Sequence, residues 1–277
     1  MSIPQSQRAR LSPGRATGYV GGFWVGYLFI LWAFGLLTGF LPPRVGPLAW
    51  GGASLVGLLV LTLWLLRREG RTVDEVGLRW SVGSLRRFAV GLVLGLAVYA
   101  AVLLLISLIA GPLKVTRVTA PTSLALLTGV ATTLALAAME EVGFRAYPLW
   151  ILAGPLGVWW GQAVVAGAFA LVHILYGWSM STVLLGVFPS ALLFGAVAVA
   201  TRGIAGPLGV HVALNLCQRL MGEKGEPGVW HIGMSSASEP VVTTLAPIIY
   251  FVVVTGSAIA VTLWWSWRAK RSRVAAV

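Results

Sequence analysis

Hydrophobic positions in this chain fall in long unbroken runs separated by short polar breaks. The runs cover about residues 19–41, 48–66, 88–110, 123–152, 158–176, 182–200, 204–221 and 241–267. Each is near or above the ~20 residues that an α-helix needs to cross a bilayer, the seventh being the shortest. The pattern predicts an all-α fold, a polytopic transmembrane bundle of about eight helices. With no internal repeat, low-complexity tract or second domain legible, residues 1–277 read as a single integral membrane domain.

Composition supports that reading. Hydrophobic residues make up 58% of the 277 positions and charged residues 10%, against about 25% charged in a soluble domain. A core of this length cannot hide so much apolar surface, whereas lipid can. The 34 glycines and 13 tryptophans fit the same solvent. Small residues let membrane helices approach closely, and indoles settle at headgroup level. Gly18, Gly22 and Gly26 are spaced by four, as are Gly91 and Gly95, and both sets are expected to form close-packing faces.

The formal net charge of +12 does not point to nucleic acid, because the basic residues cluster between apolar runs and not along one amphipathic face. Arg8, Arg10 and Arg15 precede the first run. Arg67, Arg68, Arg71, Arg79, Arg86 and Arg87 follow the second, Arg202 the sixth, and Arg268, Lys270, Arg271 and Arg273 the eighth. With eight alternating helices these groups share one side, leaving only Arg44, Lys114, Arg117, Arg219 and Lys224 on the other. The positive-inside rule then places both termini in the cytoplasm, in a multi-pass protein of the cell (plasma) membrane. The first helix reads as a retained signal-anchor, since no small-x-small cleavage site follows it. The lone Cys217 sits in an apolar run, so no intrachain disulfide forms. The loop over 222–240, the longest on the outer side, reads as a connector or as a lid at a substrate rim.

Polar residues inside the apolar runs carry the candidate chemistry. Six of the eight acidic residues fall in loops (Glu69, Asp74, Glu75, Glu223, Glu226, Glu239), but Glu140 and Glu141 interrupt a membrane run. An ionised side chain near the bilayer centre costs roughly 2.5–3.5 kcal/mol on insertion scales. Arg145, four residues after Glu141, shares its helix face, while Glu140 projects about 100° away. His173 follows Phe169 by four, and His211 precedes Asn215 by four, each pair on one face. Glu140, Glu141, Arg145, His173, His211 and Asn215 thus form a polar set on three helices, and such groups are satisfied in bundle interiors or wet cavities. Taken singly, each has a plain structural reading: an ion pair, an interfacial carboxylate, an interhelical hydrogen bond. The combination points further.

A buried carboxylate and an imidazole flanking a water can take its proton as it attacks a carbonyl. A second histidine and an amide can donate to the oxyanion. No serine or cysteine has a histidine at convincing spacing, so water is the expected nucleophile. Glu and His also ligate zinc, but no HExxH is present, and the expectation is no metal and no cofactor. Two other readings use the same residues: a transporter or proton relay, and a non-catalytic scaffold or immunity protein.

The motifs EExxxR (Glu140 to Arg145), FxxxH (Phe169 to His173) and HxxxN (His211 to Asn215), in that order, resemble the CAAX protease and bacteriocin-processing family, that is, the abortive-infection or type II CAAX prenyl endopeptidase family. The segment TVDEVGLRW before the third run resembles a stretch of its prokaryotic members. The resemblance centres on a motif-bearing core of about residues 121–221. It implies an eight-helix intramembrane glutamate-type endopeptidase, like the Ras-converting endopeptidases. Its partners would be the bilayer and a prenylated or membrane-associated peptide or protein substrate. Carried over, it implies that Glu140 and His173 activate water and that His211 and Asn215 form the oxyanion site. Glu141 and Arg145 would support the geometry. Gly143 and Ala146 depart from the family's usual bulky and glycine neighbours.

Straight rods do not assemble this set easily. If the fourth helix starts near Ser123, Glu140 lies ~25 Å along it, close to the cytoplasmic end, with His173 towards the other leaflet. A fourth helix extended through Trp150 and Leu152, tilted or broken, brings Glu140 nearer mid-membrane.

Overall fold

The computed structural model of the chain describes residues 11–118, 123–224, 228–233, 235 and 238–274. Arg8, Arg10 and Glu226, part of the charge pattern above, and most of the polar segment before the expected signal-anchor lie outside the described residues.

Among the described residues, eight helical stretches coincide with the eight apolar runs. They are α1 Pro13–Thr38, α2 Gly46–Arg68, α3 Val82–Ala110, α4 Ser123–Leu156, α5 Val158–Leu175, α6 Met180–Thr201, α7 Ala205–Leu220 and α8 Glu239–Val274. Seven are long and apolar enough to cross a membrane, and the chain is a multi-pass membrane protein. The exception is α7, whose 16 residues extend only ~24 Å against a hydrocarbon thickness of about 30 Å. The expected placement of both termini on one side requires eight crossings, and α7 is short for one.

Local sequence sets the helix ends. Ser12 caps α1 by accepting the Arg15 N–H at 3.4 Å, with Pro13 opening the first turn. Arg67 and Arg68 close α2, where cations face the carbonyl end of the dipole. The Arg68 guanidinium lies 5.0 Å over the Trp64 ring, and on α8 Arg268 and Arg271 lie 5.0 and 4.0 Å over Trp264 and Trp267. Such Arg–Trp pairs suit the boundary where lipid tails meet headgroups.

The chain divides into two compact units. The first comprises Met1–Ser84 and Thr122–Val165. In it α1 buries Ala16, Val20, Phe23, Tyr27 and Leu31, and α2 buries Gly51, Ser54, Leu58, Thr62 and Leu66, each a face of three- and four-residue spacing. α4 packs against α2, with its last turns against α1. Of the glycine face expected on α1, only Gly26 is in close contact: a Cβ there would stand 2.9 Å from Leu61, whereas Gly18 and Gly22 face open space. That correction has a simple cause, because spacing by four repeats a helix face without deciding whether a neighbour covers it.

The second unit comprises Leu85–Pro121 and Ala166–Val277. Here the expected glycine face is used. A Cβ on Gly91 would lie 2.0 Å from the Gly206 carbonyl oxygen, and one on Gly209 2.1 Å from that of Phe88, so α3 and α7 cross backbone to backbone. Around the crossing Val98 and Tyr99 pack with Leu193, Phe194 and Val197 of α6, Val210 and Leu214 of α7, and Val254 and Ala258 of α8. The first half of α6 contains a π-turn, Val183–Val187, just before Pro189, which cannot donate a backbone hydrogen bond.

The outer loop also departs from the purely helical expectation. Its β2, Trp230–Gly233, pairs antiparallel with β1, Lys114–Arg117, in the register Lys114↔Gly233 to Arg117↔Trp230. Ser238 adds a hydrogen bond of 2.7 Å to the Ala110 carbonyl at the end of α3. A loop returning past another loop at the same end of the bundle can pair with it, and neither segment carries a hairpin signal that announces this.

Candidate active site

The EExxxR segment lies near the midpoint of α4, a 34-residue stretch that continues well beyond Leu152. The extended, broken helix is the form that eases the longitudinal mismatch of straight rods. The break falls at Ala146, whose backbone leaves the helical region (φ −86°, ψ −113°) before the helix resumes at Tyr147. Pro148 explains it: the ring has no N–H to give and would press on the Phe144 carbonyl.

The two adjacent glutamates occupy different surroundings. Residues 141–149 are buried without interruption, and Glu141 and Arg145 are both 0% exposed. Arg145 Nη1 donates to Glu141 Oε1 at 3.4 Å across one helical turn. Glu140, rotated away, is half-buried. The segment is braced from α1: Trp24 Nε1 donates to the Gly143 carbonyl at 3.3 Å, and the Tyr27 ring packs edge-on against Phe144 at 5.2 Å. A Cβ on residue 143 would stand 2.5 Å from the Tyr27 ring. Tyr27 fills the space that a bulky neighbour would take, which accounts for the sequence departure at Gly143.

A second brace was not legible in the sequence. Beyond the break, the Tyr147 hydroxyl donates to Glu69, which also meets Arg71 at 2.9 Å, and Arg71 meets Glu75 at 3.3 Å. Glu75 and Thr72 form a capping box on the turn Val73–Val76, within the TVDEVGLRW stretch. The box itself is a readable T-x-x-E signal, but its connection to a tyrosine more than seventy residues away is not.

In the second unit, His173 sits in the last turn of α5 and is half-buried. Its Nδ1 lies 2.9 Å from the Phe169 carbonyl oxygen. A carbonyl only accepts, so the proton is assigned to Nδ1, and Nε2 carries the lone pair. The Phe169 ring contacts His173 with centroids 4.6 Å apart and His211 at 6.5 Å. His211, buried on α7, stacks on Phe194 of α6 at 4.4 Å with 17° between planes. Asn215, half-buried, follows one turn later on the same helix. The two motif histidines thus gather about one phenylalanine from different helices. Glu140, Glu141 and Arg145 belong to the first unit, and Phe169, His173, His211 and Asn215 to the second. Among the described residues no group of three or more His, Cys, Asp or Glu side chains is gathered as a metal site.

The turn after α7 is held by a hydrogen bond of 2.7 Å from the Tyr99 hydroxyl to Glu223. Much of the Glu223 residue is exposed, but its carboxyl end reaches the buried tyrosine. Desolvation there pushes the carboxyl above its usual range, against the opposing pull of the Tyr99 bond and Lys224. A carboxyl raised on folding holds its proton more tightly in the folded state. Its stabilising share is therefore full below the unfolded value of about 4.3 and is lost as pH rises through the raised folded value. Thermal melts in detergent are expected to lose stability over that window, and Glu223→Gln to flatten the difference. Parallel pH profiles for parent and variant would exclude the effect.

No curated protein and no solved structure matches the chain. A family does: the stretch from residue 122 to 217, about a third of the chain and the home of all three motifs, matches the model of the type II CAAX prenyl endopeptidase Rce1-like family.

Proposed function

We propose that the protein is an intramembrane glutamate-type endopeptidase that hydrolyses a peptide bond of a prenylated or otherwise membrane-associated peptide or protein. The observation that carries this reading is the coincidence of the Rce1-like match with a motif set in which both histidines pack on Phe169.

On this reading, which the motif match supports, Glu140 and His173 are the groups that activate the attacking water. Glu140 is half-buried where Glu141 is fully enclosed, and Nε2 of His173 is the ring nitrogen left to accept a proton. As the water oxygen attacks the scissile carbonyl carbon, its proton passes to this pair, and the carbonyl oxygen becomes an oxyanion. His211 and the Asn215 amide donate to that oxygen. Collapse of the tetrahedral intermediate breaks the C–N bond, and the proton held by Glu140 or His173 goes to the leaving amine. Glu141 and Arg145, fully enclosed, hold the α4 segment and set its field.

The test is turnover of a farnesylated reporter peptide and of an unprenylated, membrane-anchored one by purified protein in nanodiscs. Glu140→Gln removes the basic carboxylate with almost no change of shape and is expected to lower kcat by about 10²- to 10⁴-fold while the melting temperature holds. His173→Ala and His211→Ala are expected to fall in the same way. Full turnover in Glu140→Gln would refute the reading. Cleavage confined to the farnesylated reporter would fix the substrate class.

A further inference from the structure

The helix that carries His173 ends in a cap built from the residues just after it. Gly177 adopts the left-handed conformation (φ +83°), its N–H donates to the Ile174 carbonyl at 2.9 Å, and the Trp178 N–H donates to the His173 carbonyl at 3.1 Å. This is the Schellman pattern, in which the residue after the glycine packs on the residue five positions earlier. Here that contact is between Trp178 and His173, with ring centroids 5.1 Å apart and planes at 89°. The imidazole also touches Phe169 and holds its Nδ1 bond to that residue's carbonyl. Two aromatic contacts and one hydrogen bond thus restrict the same ring.

We propose that Trp178 is a positioning residue for His173, blocking the side-chain rotation that would break the Nδ1–H bond to Phe169 and so keeping Nε2 as the basic nitrogen. The proposal rests on the reading of His173 as a partner in water activation. Its physical basis is that a half-buried imidazole has little else to hold it. One hydrogen bond contributes about 0.5–1.5 kcal/mol net, which permits other rotamers, whereas a flat ring set edge-on removes the space they would use. Without the indole, the ring would also visit the tautomer with the proton on Nε2, in which that nitrogen has no lone pair to take a proton from water. A tryptophan serving only the helix cap would contribute to stability and leave the tautomer alone.

The experiment uses the full chain in nanodiscs with two variants. Trp178→Leu keeps an apolar cap contact but lacks the flat ring, and Trp178→Phe keeps a ring edge. With the reporter peptides, Trp178→Leu is expected to lose about 10- to 100-fold in kcat, the scale of a misplaced reacting group, with KM little changed. Trp178→Phe is expected to recover most of it. In parallel, ¹⁵N-histidine spectra are expected to show the Nδ1–H form of His173 in the parent and a mixture with the Nε2–H form in Trp178→Leu. The chain has only three histidines, so the signals are assigned by single substitutions. Parent-like kcat and an unchanged tautomer in Trp178→Leu, whatever its melting temperature, would overturn the proposal. If Glu140→Gln retains turnover the protease reading fails, and the tautomer measurement still decides the role of Trp178.

Discussion

Gly91→Leu is expected to yield no stably folded protein, and even Gly91→Ala to melt far below the parent. A Cβ on Gly91 meets the Gly206 carbonyl oxygen at 2.0 Å and the Val210 amide nitrogen at 3.2 Å, and one on Gly95 meets the Val210 carbonyl oxygen at 2.7 Å. These are backbone atoms, so no rotamer change relieves the clash; α3 and α7 must separate until the new carbon reaches a contact distance of about 3.5–4.0 Å. Separation opens the layer of Val98, Tyr99, Phe194, Val197, Val210 and Leu214. Overpacking a core costs typically about 1–3 kcal/mol, and more where the backbone cannot yield. On the proposed reading the consequence reaches function, because α7 carries His211 two residues after Gly209. The control is Gly22→Ala on α1, which faces open space and removes a poor helix former at a saving of about 1 kcal/mol. Differential scanning fluorimetry and size-exclusion in detergent separate the two. A Gly91→Ala variant that melts with the parent would show that the helices part without cost.

Arg145→Ala is expected to cost about 3–5 kcal/mol, because it strands the Glu141 carboxylate where nothing but protein surrounds it. The double variant Glu141→Gln with Arg145→Met, which removes both charges and keeps the volume, is expected to regain most of that loss. The pair therefore acts in register and not as a net source of stability. It forces the turn before Ala146 to keep one rotational setting, and Glu140, one residue away, inherits that setting. The double variant is accordingly expected to fold well and still turn over slowly, since the charge pair that fixes the turn beside Glu140 is then gone. Chemical unfolding in detergent, followed by reporter cleavage on the folded fraction, reads both effects. Equal stability losses in the single and double variants would show that the two charges are not coupled.

Much of the fold was legible one helix at a time. Run length and hydropathy mark where helices form, because a helix in lipid satisfies its own backbone and needs no partner to exist. The eight runs and the eight helices accordingly agree within a few residues. The candidate chemistry was legible for the same reason, since a carboxylate or imidazole in an apolar run stands out without knowledge of its neighbours. Which of two adjacent glutamates is fully enclosed was a different matter. Burial depends on the helix's rotation against α1 and α2, and that is settled by Tyr27 occupying the space beside Gly143. Gly18 and Gly22 repeat the spacing of Gly91 and Gly95 but meet nothing, because the covering helix is chosen elsewhere in the chain.

The sequence by itself determined the solvent, the number of helices and the identity of the polar set, all properties that follow from residues three, four or twenty positions apart. Only the tertiary structure decided that Glu141 is fully enclosed and Glu140 half-buried, that both histidines rest on Phe169, that Trp178 packs on His173 and Tyr147 on Glu69, and that β1 pairs with β2. Those contacts are short in space and mostly long along the chain. They depend on how rigid helices cross, and no local periodicity encodes a crossing.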